Sequence, residues 1–196
     1  MADRIAKVAR KTKETDITIE LDLDGTGKAD ISTGVGFLDH MLDSFARHGL
    51  FDLTVKAKGD LEVDSHHLIE DTGIVLGEAI KEAVGDKKGV SRYGFFTLPM
   101  DEALVLSAVD LSGRPYLVFD VAFSTQTMGD YDTQMVKEFF YALSYSAGMN
   151  LHLKQFSGDN DHHICEACYK AFAKALCAAV QKNPRIEDVL STKGKI

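Results

Sequence analysis

No run of apolar residues in this sequence approaches the ~20 that a helix needs to cross a bilayer. A membrane partner is therefore not expected. The charged, Lys-rich start lacks the apolar core of a secretory signal, which makes the cytoplasm the expected address. Long basic tracts are missing too, and the formal charge is -8, which argues against a nucleic-acid partner held by phosphate contacts. A small anionic substrate stays open, because it needs only a local cluster of Lys and Arg. Cysteine is scarce: Cys165, Cys168 and Cys177 all fall on the last amphipathic segment. The first two have redox-pair spacing but lack the strand-to-helix turn such a pair occupies, so all three read as small buried residues of a reduced protein. A role for Cys165 in metal binding is weaker, because it projects away from the donors described next.

What the sequence does have is one metal-ligand cassette written twice. Asp64-Ser65-His66-His67-Leu68-Ile69-Glu70-Asp71 recurs as Asn160-Asp161-His162-His163-Ile164-Cys165-Glu166-Ala167. Each copy opens a segment of helical periodicity, so His66 shares a helix face with Glu70, and His162 with Glu166. Four of the seven histidines lie in these pairs. Adjacent helical side chains point roughly 100° apart, so one pair does not readily chelate one ion, and two pairs suggest two metals. A polar helix start, capped by Asp or Asn, would explain a single copy as well. Two matched copies favour metal.

The duplication extends beyond the cassettes. Phe51 to Val55 and Met149 to Leu153 alternate as strands just before them, and helical stretches Phe37 to His48 and Asp132 to Ala147 precede those. Further strand signals lie at Ile17 to Leu23, Phe95 to Met100, Ala103 to Asp110 and Tyr116 to Phe123, broken by turns such as Asp24-Gly25-Thr26-Gly27. The chain thus reads as one α+β domain of 196 residues, 45% hydrophobic, in two pseudo-repeats of strands, helix, strand, helix, with sheets against a helical layer. The repeats run about 1–88 and 89–196, joined at Asp86-Lys87-Lys88-Gly89.

Aligning the halves pairs His40, eleven residues before Phe51, with Glu138, eleven before Met149. A pseudo-twofold site would then take His40, His66, His67 and Glu70 from one half and Glu138, His162, His163 and Glu166 from the other. Imidazole and carboxylate donors without thiolate suit Mn, Fe, Co or Ni, or zinc with open positions; manganese is the first choice. His48, before Gly49, and His152, within a strand, read as a helix-end cation and a strand-face residue.

Ser32-Thr33-Gly34-Val35-Gly36-Phe37-Leu38-Asp39-His40-Met41, the first cassette, and the second cassette followed by Tyr169-Lys170-Ala171-Phe172 resemble the imidazoleglycerol-phosphate dehydratase family, from about Arg10 to Lys193. The resemblance implies dehydration of imidazole glycerol phosphate to imidazole acetol phosphate in histidine biosynthesis, through an imidazolate ring held by two manganese ions. It implies His40, His66, His67, Glu70, His162, His163 and Glu166 as ligands. Where many members carry His, this chain has Glu138, a competent carboxylate. Glu14 matches the family's N-terminal substrate-contacting Glu and is the candidate base, with His40 and His67 beside it among the catalytic residues. Arg92, Arg114, Lys170, Ser191 and Lys193 are implied phosphate contacts, and His48 joins the substrate-binding set. Without the resemblance, Glu14 reads as a strand-edge charge and the basic residues as solvated surface. The family's particles of 24 subunits with shared active sites imply a homo-oligomer.

Two other classes compete. A dinuclear metallohydrolase would also use paired His and Glu, but His-Glu-x-x-His is missing. A non-catalytic metal-binding protein would need neither Glu14 nor the basic residues.

Overall fold

The computed structural model of the chain describes residues 4–196. Chain order is β1 (Ile5–Lys11), β2 (Thr15–Asp22), β3 (Ala29–Ser32), α1 (Gly36–Gly49), β4 (Asp52–Gly59), α2 (His66–Val84), β5 (Tyr93–Met100), β6 (Ala103–Asp110), β7 (Tyr116–Asp120), β8 (Thr127–Met128), β9 (Tyr131–Asp132), α3 (Gln134–Ala147), β10 (Asn150–Ser157) and α4 (Asp161–Val180). The sheets run β1-β2-β4-β3 and β5-β6-β10-β7. Corresponding neighbours keep the same direction, antiparallel except for the parallel β3–β4 and β7–β10 pairs. The α+β repeat architecture expected from the sequence is what the chain adopts.

Alternation does the sorting. In β2, Ile17, Ile19 and Leu21 point inward and are fully buried, while Asp16 and Glu20 point out. Helices α1 and α2 cover the first sheet and α3 and α4 the second; between the sheets α1 packs on α4 and α2 on α3. The last pairing is close because α2 turns glycine toward its partner: a Cβ on Gly73 would lie 2.7 Å from the Phe139 carbonyl oxygen, and on Gly77 2.5 Å from that of Leu143. Aromatic rings fill the remaining space, Phe45 stacking on Phe172 at 5.6 Å and Phe140 tilting against Tyr169 at 4.8 Å. One hydrophobic cluster runs through both halves.

Several edges differ from the sequence expectation. Helix α3 begins at Gln134, not Asp132, because Tyr131 and Asp132 pair with Thr127 and Met128 in a small hairpin. Strand β7 stops at Asp120, short of Phe123. The second cassette is capped as expected, the Asn160 side chain accepting from the backbone N–H groups of His162 and His163. Asp64 accepts from the His66 N–H at 2.7 Å in the first, although Ser65 occupies the cap position.

Candidate metal and substrate site

At the start of α4, the buried Glu166 carboxylate divides its oxygens. One accepts from Lys170 Nζ at 2.5 Å; the other lies 3.3 Å from His162 Nε2 and 3.6 Å from Nε2 of His40 on α1. Burial alone would push the Glu166 carboxyl up, but the hydrogen bond and charge of Lys170, with His40 and His162 beside it, hold it below the usual range. His162 is braced edge-on by Phe37 at 5.2 Å. Three donors from two helices thus converge within 4.8 Å of one another. Two imidazoles and a carboxylate without thiolate fit a divalent ion with open positions. Cys165 lies apart, fully buried with its sulfur 3.9 Å from that of Met41, and burial pushes its thiol well up.

The first cassette is more open. His66 Nε2 lies 3.8 Å from Glu70, both side chains more than 40% exposed. The neighbouring His67 turns away, its ring nearly perpendicular to that of His66 at 6.2 Å, just as His163 turns from His162 at 6.3 Å. His67 Nδ1 is hydrogen-bonded to Asp60 at 3.0 Å, with Glu14 at 3.9 Å. The Asp60 bond raises the His67 pKa, with the Glu14 charge adding to it. His163 Nδ1 is bonded to Glu102 at 2.8 Å, which raises that imidazole and pulls the Glu102 carboxyl down to about 2.

The turn carrying Glu14 is fixed from α2. Asp71, the last residue of the first cassette, accepts from Thr15 Oγ1 at 2.5 Å and Arg10 Nε at 3.0 Å, while Thr12 Oγ1 accepts from the Glu14 and Thr15 N–H groups. Glu14 itself is left 55% exposed in front of His67.

One chain does not bring all eight proposed ligands together. His40, His162 and Glu166 form one group, Glu14, Asp60 and His67 a second, His66 and Glu70 a pair, and His163 faces Glu102 through Nδ1 with Asp101 3.8 Å from its Nε2. Glu138 is half-buried on α3 and joins no group of donors among the described residues. Arg92, Arg114, Ser191 and Lys193 do gather, lining a groove of about 720 Å³ with Tyr93 and Lys195. Arg92 is committed within it, bidentate to Asp110 at 2.7 and 3.2 Å and donating to the Leu190 carbonyl at 2.7 Å. Lys170 and His48 belong instead to the Glu166 end. Burial, then Lys170 and Lys174, lower the His48 pKa.

Sequence reasoning missed Asp60 and Glu102. Asp60 had a signal, lying six residues before His66 on the strand exit. Glu102 had one as well, being the acidic tip of the hairpin that repeats the one bearing Glu14.

The sequence pattern of the family described as imidazoleglycerol-phosphate dehydratase matches residues 33–176, spanning both cassettes and His40. The chain belongs to that family. A relative so named from Lachnoclostridium phytofermentans is 66% identical, covering 99% of each chain, and one from Acetivibrio thermocellus is 60% identical over 99% of this chain and all of its own. The crystal structure of the Staphylococcus aureus enzyme is 40% identical and matches with TM-score 0.83 over 91% of this chain and 99% of its own. That from Pyrococcus furiosus, also 40% identical, matches with TM-score 0.84 over 96% and 100%. The protein is accordingly an enzyme, a hydro-lyase by family. Among the described residues, no helix is long and apolar enough to cross a membrane.

Proposed function

We propose that the protein dehydrates imidazole glycerol phosphate to imidazole acetol phosphate, a step of histidine biosynthesis in the cytoplasm, with two manganese ions per active site. The observation that carries this reading is the convergence of His40, His162 and Glu166 within one chain of this family. His40, His162 and Glu166, and His66 with Glu70 at the first cassette, would hold divalent cations, whose Lewis acidity would turn the substrate's imidazole into an electron source for loss of the adjacent hydroxyl.

The chain's own residues supply the rest. Lys170 occupies one Glu166 oxygen and leaves the other toward His40 and His162. Glu14, held by the Asp71, Thr15 and Thr12 bracket, takes the proton from the carbon bearing the second hydroxyl as the hydroxyl beside the ring departs. The resulting enol tautomerises to the ketone. Arg114, Ser191 and Lys193 offer the phosphate an electropositive groove, Arg92 being oriented in it by Asp110. In line with the family, we propose a homo-oligomer of 24 subunits in which neighbours complete the open first cassette and bring the basic groove to it; the exposed Tyr93, Phe95 and Tyr116 support such burial.

The test is turnover of imidazole glycerol phosphate by the wild type and Glu14→Gln. The variant should keep its manganese and bind substrate while turnover drops by roughly 10²- to 10⁴-fold, the usual range for a general base. Undiminished turnover would remove Glu14 from the mechanism, and no turnover by metal-loaded wild type would favour the hydrolase or metal-binding alternatives.

A further inference from the structure

The repeat places two glutamates in one structural position and the side chains then differ. Asp22 faces Asp52 across β2 and β4, and Asp110 faces Asn150 across β6 and β10. Glu14 lies eight residues before Asp22 and Glu102 eight before Asp110, each at the hairpin tip leading into its sheet's second strand. Each also approaches the second histidine of its own half's cassette, but at different range. Glu102 is in hydrogen-bond contact with His163 Nδ1 at 2.8 Å, whereas Glu14 stands 3.9 Å from His67 Nδ1.

The reason is a third carboxylate. In the first half Asp60 already takes His67 Nδ1 at 3.0 Å. In the second half its place is empty of acid. Asp60 lies eight residues after Asp52 and six before His66; the matching counts from Asn150 and His162 reach Gly158 and Phe156. Glu102 fills that role and is itself pinned, its other oxygen accepting from the backbone N–H groups of Asn160 at 3.0 Å and Asp159 at 3.4 Å. A carboxylate so held is not available to move protons.

We propose that Glu102 is a positioning residue, the second-half counterpart of Asp60, which fixes His163 through Nδ1 and presents Nε2 to a metal ion, and that this division is what leaves Glu14 free as the base. A carboxylate on the far nitrogen sets the tautomer and ring orientation of a ligating imidazole, and its loss commonly weakens metal binding by 10- to 100-fold. The inference rests on the metal-dependent reading above.

The experiment measures manganese bound per chain, by titrating the dialysed full-length protein, alongside turnover at saturating manganese. Glu102→Ala should weaken one of two ions by about 10- to 100-fold and recover turnover to within about threefold when manganese is raised. Glu102→Gln, which retains an acceptor for the ring N–H, should lie between it and wild type and carries the test if the alanine variant does not fold. Asp60→Ala should likewise weaken metal binding, whereas Glu14→Gln should bind both ions normally with turnover that manganese does not restore. Wild-type manganese affinity in both Glu102 variants would overturn the proposal, as would a loss of turnover at saturating metal like that of Glu14→Gln. Wild-type protein that binds no manganese would instead bring down the metal-dependent reading beneath it.

Discussion

Glu70 and Glu166 occupy the same place in the two cassettes, yet Glu166 is 9% exposed among His40, His162 and Lys170, and Glu70 is 42% exposed and faces His66. The helix supplying the extra donor differs. Helix α1 brings a histidine to α4, whereas the matching position on α3, the helix packed on α2, is Glu138, which reaches no such group. The second copy of the motif therefore completes a closed three-donor cluster with His40 of the first half, whereas the first copy leaves His66 and Glu70 as an open pair. A repeated sequence fixes where donors start from, while the neighbouring helix decides whether they meet.

The largest effect should come from breaking the closed cluster. Glu166→Gln is expected to cut turnover about a thousandfold or more, the several kcal/mol that a bound metal ion supplies. It should also lower the thermal midpoint in chelator, since a buried charge-assisted bond to Lys170 is weakened. Glu70→Gln should lose turnover comparably without that shift, surface substitutions costing about 0.5 kcal/mol or less. Equal destabilisation by both, in calorimetry with chelator, would erase the contrast.

Asp71 sharpens the comparison next, because its second-half counterpart is Ala167. Asp71→Ala removes the buried acceptor of Thr15 and the partner of Arg10, which should cost about 1.5–3 kcal/mol. Steady-state kinetics should show a fall in kcat greater than any rise in KM, since the turn bearing Glu14 is released.

A smaller change is expected at Asp161, where the halves differ again in how the helix start is tied down. Its carboxylate accepts from the N–H and hydroxyl groups of Ser124 and Thr125. Burial pushes this group up, and those hydrogen bonds more than reverse the shift, so its folded pKa lies below the ordinary 3.8. The stability it contributes is present above that value and is lost as pH falls through the depressed one. Asp161→Asn should cost about 1–2 kcal/mol at neutral pH and flatten the acid limb of the stability curve below about pH 4.

The smallest effect is in the core. Ser107 sits on β6 where the first half has Ile19 on β2, and its fully buried Oγ finds no hydrogen-bond partner among the described residues. Ser107→Ala should be neutral or stabilising by up to about 1 kcal/mol in denaturant unfolding.

Much of this architecture was legible in the sequence, because alternation in β2 and β6 and the helical spacing around Phe37 to His48 are period signals that burial enforces. Strand β1, with only Ala6 deeply buried and charged residues between, and the four-residue β3 gave little such signal. The cassettes announced their donors, but which donors meet depends on α1 packing against α4, a long-range fact. The same holds for Arg92: its basic character was plain, while its commitment to Asp110 depends on strand pairing and a positive φ of 68°.

Imidazole glycerol phosphate turnover on protein stripped by chelator and then titrated with manganese, with bound metal counted in parallel, decides whether the metal drives the reaction. Activity should be lost on stripping and return as two ions per active site are filled. Full activity in verified metal-free protein would contradict metal dependence.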